Sequence, residues 1–280
     1  MIKLKSIRVK TLLIFLPVII FLLIVLLFSS YYISKNILTK EINSKIENNI
    51  SELKTSINSK LQLHSRIAET LARTIEVNGN TMSTDDYKNL LKKYVLINSD
   101  TLGTGIWYEP NKYKSNLKFF GPYVLKDGNK VQYTEQYMTD DYNYPNQDWY
   151  TQCKSSNKIS WTVPYYDNST KLTMVTTTAP FYDNNNNFLG ETTADINLSK
   201  LQSIVNNLKI GTSGKAFLLS KDGFYIAGVD NSKVMKSNIK NDNKFSTIKK
   251  DLLSGKSGSS YYYDGADKKI IYYTSLLYLV

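Results

Sequence analysis

The chain has 280 residues, 42% of them apolar, enough to bury a sizeable core in one large domain or two modest ones. Its net charge of +11 would suit a polyanion only if clustered, but four of those charges lie in the first ten residues. The remaining 31 basic and 24 acidic side chains form no stripe, which argues against a nucleic-acid-binding face. With one cysteine, Cys153, and one histidine, His64, the composition excludes an intrachain disulfide and argues against a zinc site of nitrogen and sulfur ligands.

Residues 12–28 are uninterrupted apolar side chains, extended to about twenty by Thr11, Ser29 and Ser30, the length that crosses a bilayer core. Pro17 is tolerable in such a helix, and Tyr31 and Tyr32 fall where an interfacial aromatic belt sits. A cleaved signal peptide has a shorter apolar run and a small-residue cleavage site, and neither is present here. Lys3, Lys5, Arg8 and Lys10 precede the span with no acid among them, so residues 1–10 are expected in the cytoplasm and everything after residue 33 outside. The expected location is the cell membrane, single-pass in this chain.

After the span (11–33), Ile42, Ile46, Ile50, Leu53, Ile57 and Leu61 recur at helical spacing and continue through Ala68, Leu71 and Ile75. A stalk helix over 34–77 follows, about 60 Å long, with a stripe wide enough for a sheet at one end and a partner helix at the other. A homodimer is therefore expected. Asn78-Gly79-Asn80 breaks the helix, and Ser83 or Thr84 before two aspartates caps a second one through Tyr94. Strands are predicted at 105–108, 119–125, 131–133, 161–166, 171–179 and 188–196, with a short helix over 150–156 and another opening at Asn197. A smaller strand set follows at 215–219, 224–227, 259–263 and 269–273. The chain then stops inside the apolar run Leu276-Leu277-Tyr278-Leu279-Val280, so this second set reads as incomplete and the chain as a fragment or truncated product.

The fold class expected is α+β: a transmembrane helix, a long stalk helix, then two PAS-like modules, each with an antiparallel sheet, at 78–204 (membrane-distal) and 205–280 (membrane-proximal). Trp149-Tyr150, Trp161-Thr162-Val163-Pro164-Tyr165-Tyr166-Asp167, Thr178-Ala179-Pro180, Gly190 and Ala194-Asp195-Ile196 resemble the distal signature of bacterial chemoreceptors with a double Cache sensor domain. Gly211-Thr212-Ser213-Gly214-Lys215-Ala216-Phe217-Leu218-Leu219 with Lys221-Asp222-Gly223 resembles the start of the proximal module. The resemblance implies a ligand pocket in the distal module that clamps an α-carboxylate with Tyr, Arg and Trp and meets the ammonium with Tyr and Asp. Tyr142, Trp149, Tyr150, Tyr165, Asp167 and Asp195 fill the matching positions, and Gln147 stands where that pattern has Arg.

The chemistry of these residue types agrees. A desolvated ammonium needs a full negative charge or several acceptors, which Asp167 and Asp195 supply, and aromatic rings add about 0.5–2 kcal/mol each. A carboxylate wants the fork of Arg; the neutral amide of Gln147 loses about 1–2 kcal/mol against it, so the balance tilts towards an amine. Each residue also has a plain structural role: Trp149 as core, Asp167 as a turn, Asp195 as a helix cap. Only the joint pattern singles them out.

No G-x-S-x-G or P-loop is present, and Asp140-Asp141 reads as a turn, so no enzyme activity, cofactor or metal is expected. The expected function is the extracytoplasmic ligand-sensing portion of a chemotaxis receptor, binding an amine or amino acid. The alternatives are the input domain of a sensor histidine kinase or cyclic-dinucleotide enzyme, and an anchored surface or adhesion protein.

Overall fold

A computed structural model describes residues 7–276 except 129, 209, 211 and 212. Lys3 and Lys5 of the basic tail, Gly211 and Thr212 of the second motif and residues 277–280 of the terminal apolar run lie outside the described residues. By their internal contacts residues 1–51 and 52–280 form two units. In the first, helix α1 (Ile7–Asn78) begins. It contains the one helical stretch, among the described residues, long and apolar enough to cross a membrane, and none of that stretch is buried inside the protein.

In the second unit the remainder of α1 lies on a sheet. Ile57, Leu61, Ala68, Leu71, Ala72 and Ile75 are buried, following the helical stripe read from the sequence. After a 3-10 turn at Gly79–Thr81, α2 (Thr84–Tyr94) opens on a capping box: the Ser83 hydroxyl accepts from Asp86 N–H while the Asp86 carboxylate accepts from Ser83 N–H. Two acids at its start and two lysines at its end complement the helix dipole.

The main sheet is antiparallel, in the order β3 (Lys130–Thr134), β2 (Tyr123–Asp127), β1 (Thr101–Tyr108), β7 (Phe188–Asn197), β6 (Leu172–Tyr182) and β4 (Ser160–Trp161), with β5 (Tyr165–Asp167) also on β6. Central strand β1 is buried along its whole length, as a strand covered on both faces must be. The segment read as one strand over 161–166 is two short pieces, because Pro164 between them has no N–H to donate to a ladder. Strand β2 begins four residues later than expected, since Phe119 and Phe120 enter the core from extended backbone outside it.

One face of this sheet packs on α1 and α2 through Leu71, Ile75, Tyr87, Leu91, Ile106, Phe181 and Ala194. The other is covered by an aromatic cluster that includes α3 (Asp148–Ser156). Beyond α4 (Leu198–Asn206) the second strand set forms two separate two-stranded ladders: β8 (Leu218–Leu219) with β9 (Tyr225–Ala227), and β10 (Gly258–Asp264) with β11 (Asp267–Tyr273). A short helix α5 (Lys249–Leu252), absent from the sequence reading, lies between them in the chain.

The seating of α1 on the sheet sets the cost of truncating it. Leu71→Ala, at a fully buried position, should destabilise by about 2–5 kcal/mol. Val77→Ala, at a position 81% exposed on the same helix, should change stability by less than about 0.5 kcal/mol. Urea unfolding of the two variants checks the contrast.

Candidate functional site

Strand alternation builds the floor of the site. Along β7, Thr193 and Asp195 point to one face, while Thr192, Ala194 and Ile196 point to the face that carries α1. Register pairs Thr193 with Gly105 and Asp195 with Gly103 on β1, and on the other side Asp195 with Thr176 on β6. The two glycines are what the site needs there. A Cβ on Gly103 would fall 1.9 Å from the Tyr123 hydroxyl, and one on Gly105 would fall 2.6 Å from the Trp107 ring. Without them neither ring could lie across the sheet.

Tyr123 from β2 therefore reaches over β1 and donates to Asp195 Oδ2 at 2.7 Å, while the Thr176 hydroxyl donates to Oδ1 at 2.6 Å. Tyr165 shares a hydrogen bond with that Thr176 hydroxyl at 2.7 Å, and the Trp107 indole donates to the Thr193 hydroxyl at 3.0 Å. A second carboxylate, Asp167 at the end of β5, accepts from the Tyr137 hydroxyl at 3.2 Å and from the backbone and hydroxyl of Thr170 at 2.7 and 2.6 Å. Trp149, from the first turn of α3, and Tyr142 close the far side. With no ligand present the rings fill most of the hollow and leave a cavity of about 20 Å³, room for about one water molecule.

Six aromatic rings and two carboxylates line it, and among the described residues the lining contains no Lys, Arg or His. Asp195 is 3% exposed. Burial pushes its carboxyl up to about 7, against the hydrogen bonds from Thr176 and Tyr123 and with the negative charge of Asp167 adding to the rise. Holding it ionised in the empty pocket costs about 4 kcal/mol relative to an exposed aspartate. Burial likewise lifts the hydroxyls of Tyr123 and Tyr165 well above the ordinary tyrosine range, with the Asp195 charge next, so both stay protonated donors.

Of the residues singled out from sequence, the structure brings Tyr142, Trp149, Tyr165, Asp167 and Asp195 onto one lining. Gln147 is not on it. It precedes α3, and its amide donates to the Tyr142 carbonyl at 2.8 Å, supporting the wall from behind. Tyr150 follows Trp149 on the helix and so points about 100° away; it is fully buried and donates to Glu109 at 2.9 Å. The sequence reading missed Trp107, Tyr123, Tyr137, Met174, Thr176 and Thr193. The one local signal was Gly103-x-Gly105-x-Trp107, two glycines on one face of a strand beside a large ring.

Residues 87–203 match the family described as methyl-accepting chemotaxis protein-like, first PDC sensor domain. Over 279 residues the chain is 25% identical to the methyl-accepting chemotaxis protein McpA of Bacillus subtilis (strain 168), covering 99% of this chain and 38% of McpA. The chain thus spans less than half the length of that relative. Among solved structures it is similar to the extracellular domain of mmHK1S-Z2, assigned as a histidine kinase, with a TM-score of 0.72 at 18% identity, covering 84% of this chain and 92% of that one. It is also similar to the ligand-binding domain of the Pseudomonas fluorescens chemoreceptor CtaA, crystallised with L-serine, with a TM-score of 0.57 at 19% identity, covering 79% and 84%. The shared fold and the match of residues 87–203 to the methyl-accepting chemotaxis protein-like first PDC sensor domain agree with the resemblance to double Cache sensors drawn from the sequence.

Proposed function

We propose that the chain is the extracytoplasmic ligand-sensing portion of a chemotaxis receptor, anchored by its N-terminal helix, and that its pocket holds a small molecule through a protonated amine. One observation carries this: the lining offers two carboxylates and six aromatic rings and, among the described residues, no cation. An ammonium entering there would donate charge-assisted hydrogen bonds to Asp195 and Asp167 and be attracted by the ring faces. Asp195 would ionise fully as the cation arrives.

An α-amino acid, such as the L-serine in complex with the CtaA domain, would bring the same ammonium. Its carboxylate would meet only neutral donors here, with Gln147 turned to the Tyr142 carbonyl, so amines without a carboxylate are favoured. The division into tail (1–10), span (11–33), stalk (34–77) and modules at 78–204 and 205–280, with a homodimer through the stalk, is part of the same proposal. The fold shared with mmHK1S-Z2 supports a second reading, the input domain of a sensor kinase. An output domain of methylated helices or of a kinase in the full-length protein would separate the two. A purely structural surface protein is disfavoured by two buried carboxylates converging on one aromatic-lined hollow.

A thermal-shift screen of the full chain in detergent tests the ligand class. Primary amines should raise the melting temperature and Asp195→Asn should abolish that shift; stabilisation by amine-free acids alone would refute the assignment. Affinity should also rise severalfold between pH 6 and 8, because the carboxylate must be ionised to hold the cation and its empty-pocket pKa is about 7.

The same carboxyl fixes a stability profile for the empty protein. Its folded pKa lies above the unfolded value of 3.8, so the folded state binds more protons between the two. The Asp195 contribution to stability should therefore fall as pH rises from about 4 to about 7 and level off above. Between pH 5 and 8 the wild type should lose more melting temperature than Asp195→Asn; equal losses would show that Asp195 does not titrate in this range.

A further inference from the structure

Glu191 is unused by the pocket as described. It has no exposed surface, and both its carboxyl oxygens are buried without a hydrogen-bond partner among the described residues. The titratable groups near it are the Cys153 thiol and the Tyr150 hydroxyl on α3 and the Glu109 carboxylate beyond β1, and none is cationic. The nearby ammonium of Lys154 is engaged by Glu109 at 2.7 Å. Burial holds the Glu191 carboxyl well above the usual range, against the influence of the Cys153 thiol and with the Glu109 charge adding to the rise. An orphaned acid where a glutamine or leucine would cost less is a loss of stability that asks for a use.

Its position suggests one. Alternation puts Glu191 on the same face as Thr193 and Asp195, and across the ladder it pairs with Trp107; all three of those residues line the pocket. Its Cα lies about 7 Å beyond that of Thr193 and about 13 Å from that of Asp195 along the strand. Helix α3 links the two places, presenting Trp149 to the pocket and Tyr150 and Cys153 to Glu191.

We propose that Glu191 is a second cation subsite, making the preferred ligand class a linear diamine with one ammonium at Asp195 and Asp167 and the other at Glu191. This rests on the reading of the pocket as an amine site. The methylene chain lies along the Trp107 and Trp149 rings, whose centroids are 5.0 Å apart, and α3 shifts to admit it. As the second ammonium arrives, Glu191 gives up its proton to solvent and becomes its counter-ion. A monoamine leaves Glu191 neutral and covered.

The test is calorimetric titration of the full chain in detergent with putrescine and cadaverine against butylamine and pentylamine. Diamines should bind at least about tenfold tighter, the size of one charge-assisted contact, and Glu191→Gln should bring them down to the level of the monoamines. A measurement on the unaltered protein guards against a variant that misfolds: in buffers of different ionisation enthalpy, diamine binding should release about one more proton than monoamine binding. Equal affinities, a diamine advantage that survives Glu191→Gln, or equal proton release would each overturn the subsite while leaving the amine pocket standing. Failure of every amine to bind would overturn both.

Discussion

A carboxylate without a counter-ion, buried at the centre of a sheet, is the constraint around which the site is organised. Asp195 keeps two short hydrogen bonds, from Tyr123 and Thr176, and these soften its desolvation without cancelling it. Each bond constrains the surrounding sequence. Tyr123 can reach only because Gly103 is bare, and Thr176 can serve only because β6 and β7 pair in this register. A shift of one residue would turn Asp195 to the face that packs on α1.

The same period-two logic ties the pocket to the long helix. Thr192, one residue from Thr193, donates its hydroxyl to the Ala68 carbonyl of α1 at 2.7 Å. Thr177, one residue from Thr176, meets Ser65 of α1 at 3.3 Å, and the Trp161 indole donates to that serine at 2.9 Å. These bonds are buried, so losing one costs more than a surface contact would. Strands β6 and β7 therefore hold the pocket on one side and the helix on the other.

How much of this could be read from sequence depends on the distance over which the information acts. The long apolar helix, the stripe through Leu71 and Ile75, a cap at Ser83 or Thr84 and strands at 171–179 and 188–196 are local patterns, and α1, the cap at Ser83, β6 and β7 follow them. Tyr142, Trp149, Tyr165, Asp167 and Asp195 were drawn from a family-like pattern, and the fold brings them onto one surface. Tyr123 and Trp107 were not legible, because their roles depend on β1 lying between β2 and β7, a pairing that joins residues as far apart as Thr101 and Ile196. Gln147 and Tyr150, neighbours of Trp149 in sequence, lie off the lining for different reasons: Gln147 stands ahead of α3 in extended backbone, and the helical turn that puts Trp149 on the lining carries Tyr150 away.

The charge state of one side chain governs the site, and carbon-13 NMR of selectively labelled aspartate reads it directly. In the empty protein the Asp195 carboxyl should titrate near pH 7, and saturation with an amine should lower that midpoint by at least about one pH unit. A midpoint near 4 in the empty protein, or one that the amine leaves unmoved, would contradict it.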